Sequence, residues 1–169
     1  FHPQTVAAAA PSFEDINAGS MRILIGLVRK FIVADTLARI VLPVLNAPGA
    51  YGRGALIGAL YGVAIQIYMD FSGYTDIALG VARLFGYRIM ENFNRPFLQE
   101  NIALFWRNWH ISVYTWIRDY FFLPVFGAHA SRFTAFAGIF ATMLVFHLWH
   151  GFTPDFLVLA LYHGTGLSV

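Results

Sequence analysis

The sequence predicts an all-α integral membrane protein, a polytopic helical bundle that contains broken or re-entrant helices. Hydrophobic residues fill 58% of the 169 positions and charged residues only 12%, about half the charged fraction of an ordinary soluble domain. Uncharged runs cover 54–69 and 133–150, and only helices or closed barrels satisfy every backbone polar group inside lipid. Since the period-two alternation of a membrane barrel is absent from the sequence, we expect four to six apolar helices and no sheet.

Composition also excludes several classes of function. The 11 basic residues are scattered and are nearly balanced by nine acidic ones, so we expect no nucleic-acid partner. The aromatic content of 17% is incompatible with intrinsic disorder. The chain has no cysteine, which rules out a disulfide framework, a thiolate metal site and a cysteine nucleophile.

The N-terminal part of the chain is predicted to be a loop followed by a charged helix. Residues 1–20 contain two prolines and are interpreted as loop. Ser12 and Asp15 have the spacing of a capping box that opens the next helix. Residues 21–42 are apolar but include five charged side chains, which favours a helix buried against partners or lying at the membrane interface.

A helix with a break is predicted over 54–85. Its uncharged part, 54–69, is slightly shorter than the ~20 residues that span a bilayer. The polar segment 70–76 (DFSGYTD) then interrupts the run, and a Ser-Gly hinge there would line a cavity. Apolar sequence resumes at 77–85.

Asp70 and Asp76 flank this predicted hinge. Six residues of ideal helix rotate by about 240°, so the two carboxylates would face different ways without a break. Carboxylates at membrane depth require cations or a wet cavity. We favour a buried ion-pair scaffold over a catalytic carboxylate pair, and the predicted cationic partners are Arg83, Arg107 and Arg118.

The second half of the chain is predicted to alternate loops and helices. Residues 86–101 are the most polar stretch and are interpreted as a loop on one membrane face. Two aromatic-rich helical segments follow within 102–126, with the Trp and Tyr content typical of the membrane–water interface. A short loop is predicted at 127–132, the best spanning helix at 133–150, and the start of another helix at 155–169.

Histidines within apolar segments are the first candidates for chemistry. An imidazole at membrane depth is expected to be functional, and the alternative is an interhelical hydrogen bond. His147 and His150 share one helical face, but with Asp155 or His163 they form no recognised metal signature, so we predict no metal site. The six histidines are His2, His110, His129, His147, His150 and His163.

Five ordered motifs resemble those of the membrane-bound O-acyltransferase family. Their order and spacing are similar to the bacterial alginate O-acetyltransferase membrane subunit type, and the teichoic acid D-alanyl transfer proteins are the sister group. The resemblance covers roughly 22–169, and the family's N-terminal part is absent. The motifs are YMDFSGYTDIALG at 68–80, ENFNRPF at 91–97, FWRNWHIS at 105–112, WIRDY at 116–120 and LWHG at 148–151.

The resemblance implies an enzyme that moves an acyl group, here acetyl, across the bacterial cytoplasmic (inner) membrane. The donor would be a cytoplasmic thioester, acetyl-CoA, and no further cofactor is implied. The acceptor would be a hydroxyl of a polysaccharide or carrier protein outside the membrane, with an extracytoplasmic acyltransferase or polysaccharide as partner. The chain would form one multi-pass membrane domain over 1–169, the C-terminal part of the family core, surrounded by the lipid bilayer.

The same resemblance implies the site residues. His150 would be the essential histidine, either accepting the proton of the attacking hydroxyl or forming a covalent acyl-histidine. His110 would be the second functional histidine, and we expect the two to approach each other across a cavity or tunnel. Hydrogen bonds to the developing oxyanion would come from polar neighbours. The predicted substrate-binding residues are Arg107, Asn108, Trp149 and Asp76.

Several alternatives stay open at the level of sequence. The acyl group could be D-alanine and the acceptor teichoic acid. The chain could be a non-enzymatic, truncated membrane subunit of a larger complex, or a transporter that uses its intramembrane Asp and His as a proton path. Phe146 and His147 replace the small Ser-Gly pair usual before Leu-Trp-His-Gly, and these bulky side chains are predicted to narrow an acyl channel.

Overall fold

All regular structure in the described part of the chain is helical. The computed structural model describes residues 10–127 and 131–168, so His2 and His129 lie outside it. Within these ranges β pairing is limited to one isolated antiparallel bridge between Phe93 and Trp109, which confirms the all-α prediction. The helices are α1 (Phe13–Leu27), α2 (Asp35–Asn46), α3 (Arg53–Leu84), α4 (Ile102–Asn108), α5 (Ile111–Ile117), α6 (Leu123–Phe126), α7 (Arg132–His150) and α8 (Pro154–Ser168).

Short irregular helices join several of these elements. Two π-helical segments, Val28–Ala34 and Arg118–Phe122, connect α1 to α2 and α5 to α6 without a loop. Two 3₁₀ turns lie at Pro48–Ala50 and Pro96–Leu98. The second of these is the only helical turn inside the described stretch 86–101, so the predicted loop there is confirmed.

Among the described residues, two helices are long and apolar enough to cross a membrane, α3 and α7. They contain the two uncharged runs on which the membrane prediction depends. The larger polytopic bundle stays a prediction. So does the single domain over 1–169, because the chain divides into two compact units, a first unit up to Glu91 and a second unit from Asn92.

The first helix begins earlier than the sequence suggested. The Ser12 hydroxyl accepts a hydrogen bond from the Asp15 amide (3.1 Å), and the Asp15 carboxylate accepts one from the Ser12 amide (3.2 Å). This capping box confirms the spacing argument, because it satisfies two otherwise unpaired amides of the first turn. The predicted loop is therefore wrong over 13–20, where α1 has already started.

The first unit is an antiparallel pair of helical stretches in close contact. A β-carbon added to Gly26 would lie 2.6 Å from the carbonyl oxygen of Gly73, and one added to Gly73 would lie 2.7 Å from that of Gly26. Gly19 and Gly80 face each other in the same way. The two backbones therefore touch at two points, as small residues allow in membrane helix pairs.

The predicted break at 70–76 is wrong, since α3 is continuous over 32 residues. Asp70, Thr75 and Asp76 need no break in the helix because each of them has a partner. Asp70 and Asp76 form ion pairs with the facing helical stretch, and the Thr75 hydroxyl donates to the carbonyl oxygen of Ser72 within α3 (2.9 Å). The hinge-like Gly73 serves close helix packing instead.

The second unit is built around a small aromatic core. Its buried members are Trp106, Ile117, Met143 and Phe146, contributed by α4, α5 and α7. The predicted pair of aromatic-rich segments is confirmed as α4 and α5. Helix α7 packs against α8, and Ser131 caps its start by accepting a hydrogen bond from the Thr134 amide (3.2 Å).

Candidate active site

His110 lies at the sharp turn between α4 and α5. Its backbone is left-handed, with φ 49°, a conformation that non-glycine residues seldom adopt. The turn is held by Asn92, whose carbonyl oxygen accepts from the Ile111 amide (2.9 Å) and whose side chain accepts from the Ser112 amide (3.1 Å). These bonds satisfy the first amides of α5 and leave the His110 side chain buried, at 9% exposure.

Asn92 is a site residue that the sequence analysis missed. It belongs to the Glu-Asn-Phe-Asn-Arg-Pro-Phe motif at 91–97. This motif is one of the five that resemble the family, but the sequence suggested no role for Asn92. The next motif residue, Phe93, pairs with Trp109 through the isolated bridge and an edge-to-face ring contact at 5.0 Å. The two motifs therefore meet in space, and together they fix His110.

His150 is the last residue of α7 and is exposed. Its ring stacks on that of Phe156 in α8, with centroids 5.9 Å apart and planes at 22°. It also meets the ring of Phe146, one turn earlier in α7, edge to face at 5.4 Å. The side chain is thus held between two aromatic rings and keeps access to its surroundings.

Phe146 brings the two histidines together. Its ring centroid lies 6.5 Å from that of His110 and 5.4 Å from that of His150. Burial, and then the positive charge of His150, lower the pKa of His110 from 6.5 to about 4. Both imidazoles therefore lie beside the same phenyl ring, although forty residues separate them in sequence, and their approach across a cavity and their catalytic roles stay predictions.

A cavity was predicted between the two histidines, whereas the described residues form one on the other side of Phe146. A cavity of about 340 Å³ opens in the second unit, lined mainly by apolar side chains of α4, α5 and α7. Phe146 lines it, whereas His110 and His150 are not among the described lining residues. This part of the chain therefore contains a largely apolar, partly open cavity that reaches Phe146.

Three predicted substrate-binding residues lie in the second unit. Arg107 is exposed and lines the cavity. The Asn108 side-chain amide donates to the carbonyl oxygen of Leu104 (2.8 Å), which ties it to its own helix. Trp149 is 66% exposed, with its ring 4.9 Å from that of His150. Their roles stay predictions.

Asp76, the fourth predicted substrate-binding residue, is a buried ion-pair partner in the first unit. It is 2% exposed, and its two oxygens accept from the Arg22 Nε (2.6 Å) and the Arg29 Nη1 (2.5 Å). Arg22 also donates through Nη1 to Glu91 (2.8 Å). This geometry favours the scaffold interpretation over substrate binding.

The predicted cationic partners of Asp70 and Asp76 are wrong. Asp70 pairs with Lys30 (2.5 Å), and Asp76 pairs with the two arginines of the facing stretch. Arg83 pairs with Asp15 (3.1 Å) and Arg118 with its neighbour Asp119 (2.7 Å), while Arg107 lies in the other unit. The actual partners are close because the π-helical segment continues α1 without a loop.

Hydrogen bonds from Ser12 and Arg83 lower the pKa of the Asp15 carboxyl. The hydrogen bond from the Ser12 hydroxyl, followed by that from Arg83, lowers the pKa of Asp15 to about 2. The negative charge therefore persists at the start of α1, where the helix dipole favours it.

His147 is held by its own helix and by α8. Its Nδ1 donates to the Met143 carbonyl oxygen (2.9 Å), and its ring stacks on that of His163 at 5.3 Å. Among the described residues no group of three His, Asp or Glu side chains could hold a metal ion. His147 is thus tied to Met143 and His163, and its ring also meets that of Phe146 edge to face at 5.3 Å.

The chain matches one family model over most of its length. Residues 22–169 match the family model described as MBOAT, the membrane-bound O-acyltransferase family. The chain belongs to the membrane-bound O-acyltransferase family, which confirms the family predicted from the five motifs.

The names of individual relatives refer to different polymers. The chain is 40% identical over 151 residues to the probable alginate O-acetylase AlgI of Pseudomonas aeruginosa (89% of this chain, 29% of the relative). It is 34% identical over 158 residues to the teichoic acid D-alanyltransferase of Bacillus subtilis (88% and 39%). It is 29% identical over 164 residues to the peptidoglycan O-acetyltransferase of Helicobacter pylori (94% and 30%). The chain spans about a third of the length of these relatives.

Proposed function

We propose that this chain supplies the histidine pair of a membrane O-acyltransferase. An acetyl group would move from cytoplasmic acetyl-CoA to a hydroxyl of a polysaccharide or carrier protein outside the membrane. The observation that carries the proposal is the convergence of His110 and His150 on Phe146. The alginate and peptidoglycan relatives support acetyl as the acyl group and a polysaccharide as the final acceptor.

His150 is proposed as the proton acceptor. Its exposed ring can meet an incoming hydroxyl, and histidine is the side chain most often used as a general base. As the hydroxyl oxygen bonds to the thioester carbonyl carbon, His150 takes the hydroxyl proton. The carbon–sulfur bond then breaks, and the thiol leaves with that proton. Attack by His150 itself, through a covalent acyl-histidine, is the variant of this scheme.

His110 is proposed as a neutral hydrogen-bonding partner. With its pKa lowered to about 4, its ring is uncharged at neutral pH and offers one N–H donor and one acceptor nitrogen. A neutral neighbour does not oppose the positive charge that His150 gains during transfer. Arg107 and Asn108, close to His110 in sequence, are the proposed donors to the developing oxyanion, and Trp149 is the remaining proposed substrate-binding residue.

The proposed location is the bacterial cytoplasmic membrane, with several passes. Helices α3 and α7 have the length and hydropathy for two of them. At 1.5 Å per residue α3 is about 48 Å long, more than the ~30 Å hydrocarbon core requires. A bilayer position lets the donor approach from one side and the acceptor from the other.

The proposal is tested by replacing His150. In a deletion strain complemented with the His150→Ala or His150→Gln protein, acetylation of surface polysaccharide should fall by about 10²–10⁴ in rate. His147→Ala is the matched control and should have a much smaller effect, because His147 is buried and its Nδ1 is already bonded to the Met143 carbonyl oxygen. Mass spectrometry gives the acetyl content, and immunoblotting of membranes gives the protein level. Near-normal acetylation by His150→Ala would reject the assignment.

D-Alanyl transfer to teichoic acid is the second candidate function. The identity of 34% to the Bacillus subtilis enzyme favours it. The same strains separate the two candidates, since D-alanine esters and acetyl esters differ in mass. Unchanged levels of both esters in the deletion strain would favour a non-enzymatic membrane subunit.

A further inference from the structure

The apolar cavity of the second unit has room for more than an acetyl group. Its volume of about 340 Å³ falls in the ~300–1,000 Å³ range of small-molecule sites. Its lining includes Ile117 of α5, Ile139 and Met143 of α7, and Trp106 of α4. Walls of this kind favour the methylene groups of an acyl chain over a polar ligand.

Phe146 lines this cavity and also contacts both histidines. It lines the cavity, touches the rings of His110 and His150, and packs edge to face on Trp106 at 5.4 Å. It is 8% exposed, so most of its surface is in contact with neighbouring side chains. The phenyl ring therefore stands as the wall between the histidine pair and the apolar space.

We propose that Phe146 is a specificity-determining residue that closes this cavity to the transferred acyl group. With the ring in place, the histidine pair accepts a short group such as acetyl. A smaller side chain at 146 joins the cavity to the histidine site and admits a longer acyl chain. The inference rests on the proposed function, because it assigns the substrate class of that same site.

The chain offers a matched control in the same helix. Phe140 lies six residues before Phe146 in α7, on a different helical face, where its ring packs against Gly164. It is not among the residues that line the cavity. Phe140→Ala removes the same side chain from the same helix and leaves the wall intact.

The transfer experiment compares acetyl-CoA, hexanoyl-CoA and octanoyl-CoA as donors to the whole protein in membranes. Phe146→Ala should raise the octanoyl-to-acetyl rate ratio by about tenfold or more, the scale on which apolar pockets discriminate chain length. Phe140→Ala should leave the ratio at the wild-type value. An unchanged ratio in Phe146→Ala, with acetyl transfer retained, would overturn the proposal.

Two further measurements keep the test decisive. Phe146→Leu preserves an apolar core and replaces Phe146→Ala if that protein does not accumulate. An octanoyl-to-acetyl rate ratio of Phe146→Leu equal to that of the wild type then overturns the proposal. An octanoyl-CoA with a terminal diazirine should label Ile139 or Met143 in the Phe146 variants and not in the wild type. Labelling without any acyl transfer supports the cavity wall and refutes the proposed function, whereas equal labelling in all proteins refutes the wall.

Discussion

At the scale of single residues, the backbone of His110 explains why its side chain is buried. The left-handed turn directs the chain from α4 into α5, and Asn92 satisfies the amides exposed by that turn. Sequence reasoning could select His110 through its motif. It could not find Asn92 as the support, because the two residues are distant in the chain and only the fold pairs them.

Acid should destabilise the protein through His110. Its pKa of about 4 in the folded chain lies below the ~6.5 of a free imidazole, so the unfolded chain binds the proton more tightly. The stability from this group is complete above pH 6.5 and declines as the pH falls to about 4. One group changes the free energy of unfolding by at most about 1.4 kcal/mol per pH unit.

The variant that checks this pH dependence is His110→Asn. Asparagine tolerates the left-handed backbone and does not titrate, so the decline between pH 6.5 and 4 should be shallower than in the wild type. Denaturant titrations in detergent micelles at several pH values measure it. Identical pH profiles for the two proteins would contradict the assignment.

Asp76 should matter more for stability than Asp70. Asp76→Asn removes the charge shared by Arg22 and Arg29 at a site 2% exposed, and the expected loss is about 1–3 kcal/mol. Asp70→Asn breaks one ion pair, with the Asp70 side chain 41% exposed, and should cost less than about 1 kcal/mol. Thermal unfolding in micelles compares the two, and equal losses would argue against the scaffold.

At the scale of helices, the interpretation of 70–76 shows where sequence patterns stop being sufficient. Two acids around Ser-Gly are typical of a broken helix, yet α3 is unbroken. The deciding information lies in another element, because Arg22 and Arg29 are seven residues apart in a continuous helical stretch and donate to the two oxygens of the Asp76 carboxylate. Three of the five charges in 21–42 thus form ion pairs with α3, a role that the sequence alone left unassigned.

The glycine contacts between α1 and α3 give a helix-scale prediction. Gly73→Ala places a β-carbon 2.7 Å from a backbone oxygen of α1, and overpacking of this kind costs about 1–3 kcal/mol. Gly58→Ala, in the same helix with no atom within 4 Å, should be neutral or stabilising by up to about 1 kcal/mol. Melting temperatures of the two variants provide the test, and a stabilised Gly73→Ala protein would refute the close approach.

At the scale of the whole molecule, composition and ordered motifs were enough for the fold class and the family. Low charge and uncharged runs predicted helices, and five motifs in order predicted the membrane-bound O-acyltransferase family. The cavity, its Phe146 wall and the ion pairs depend on contacts between distant segments. No periodicity or spacing within one segment encodes those contacts.

The absence of cysteine from the chain allows a direct test of the membrane position of α3. A single cysteine at Leu60, which is 61% exposed on the helix surface, should resist a membrane-impermeant maleimide because lipid covers it. A cysteine at Gly49, in the 3₁₀ turn before α3 with no neighbouring atoms, should react once its side of the membrane is accessible. Gel-shift labelling of right-side-out and inverted vesicles measures both. Rapid labelling of the Leu60 position would remove α3 from the bilayer.

The paired glycines also limit how this part of the chain can change in length. Gly19 and Gly26 are seven residues apart, as are their partners Gly73 and Gly80. One residue inserted or deleted within 20–25 turns the following helix by about 100°, so that Gly26 no longer faces Gly73. Only insertions close to two whole turns, made in both helices together, would restore both contacts. We therefore expect insertions and deletions among homologues to collect outside 19–26 and 73–80, in connections such as 47–52, where chain length is not tied to register.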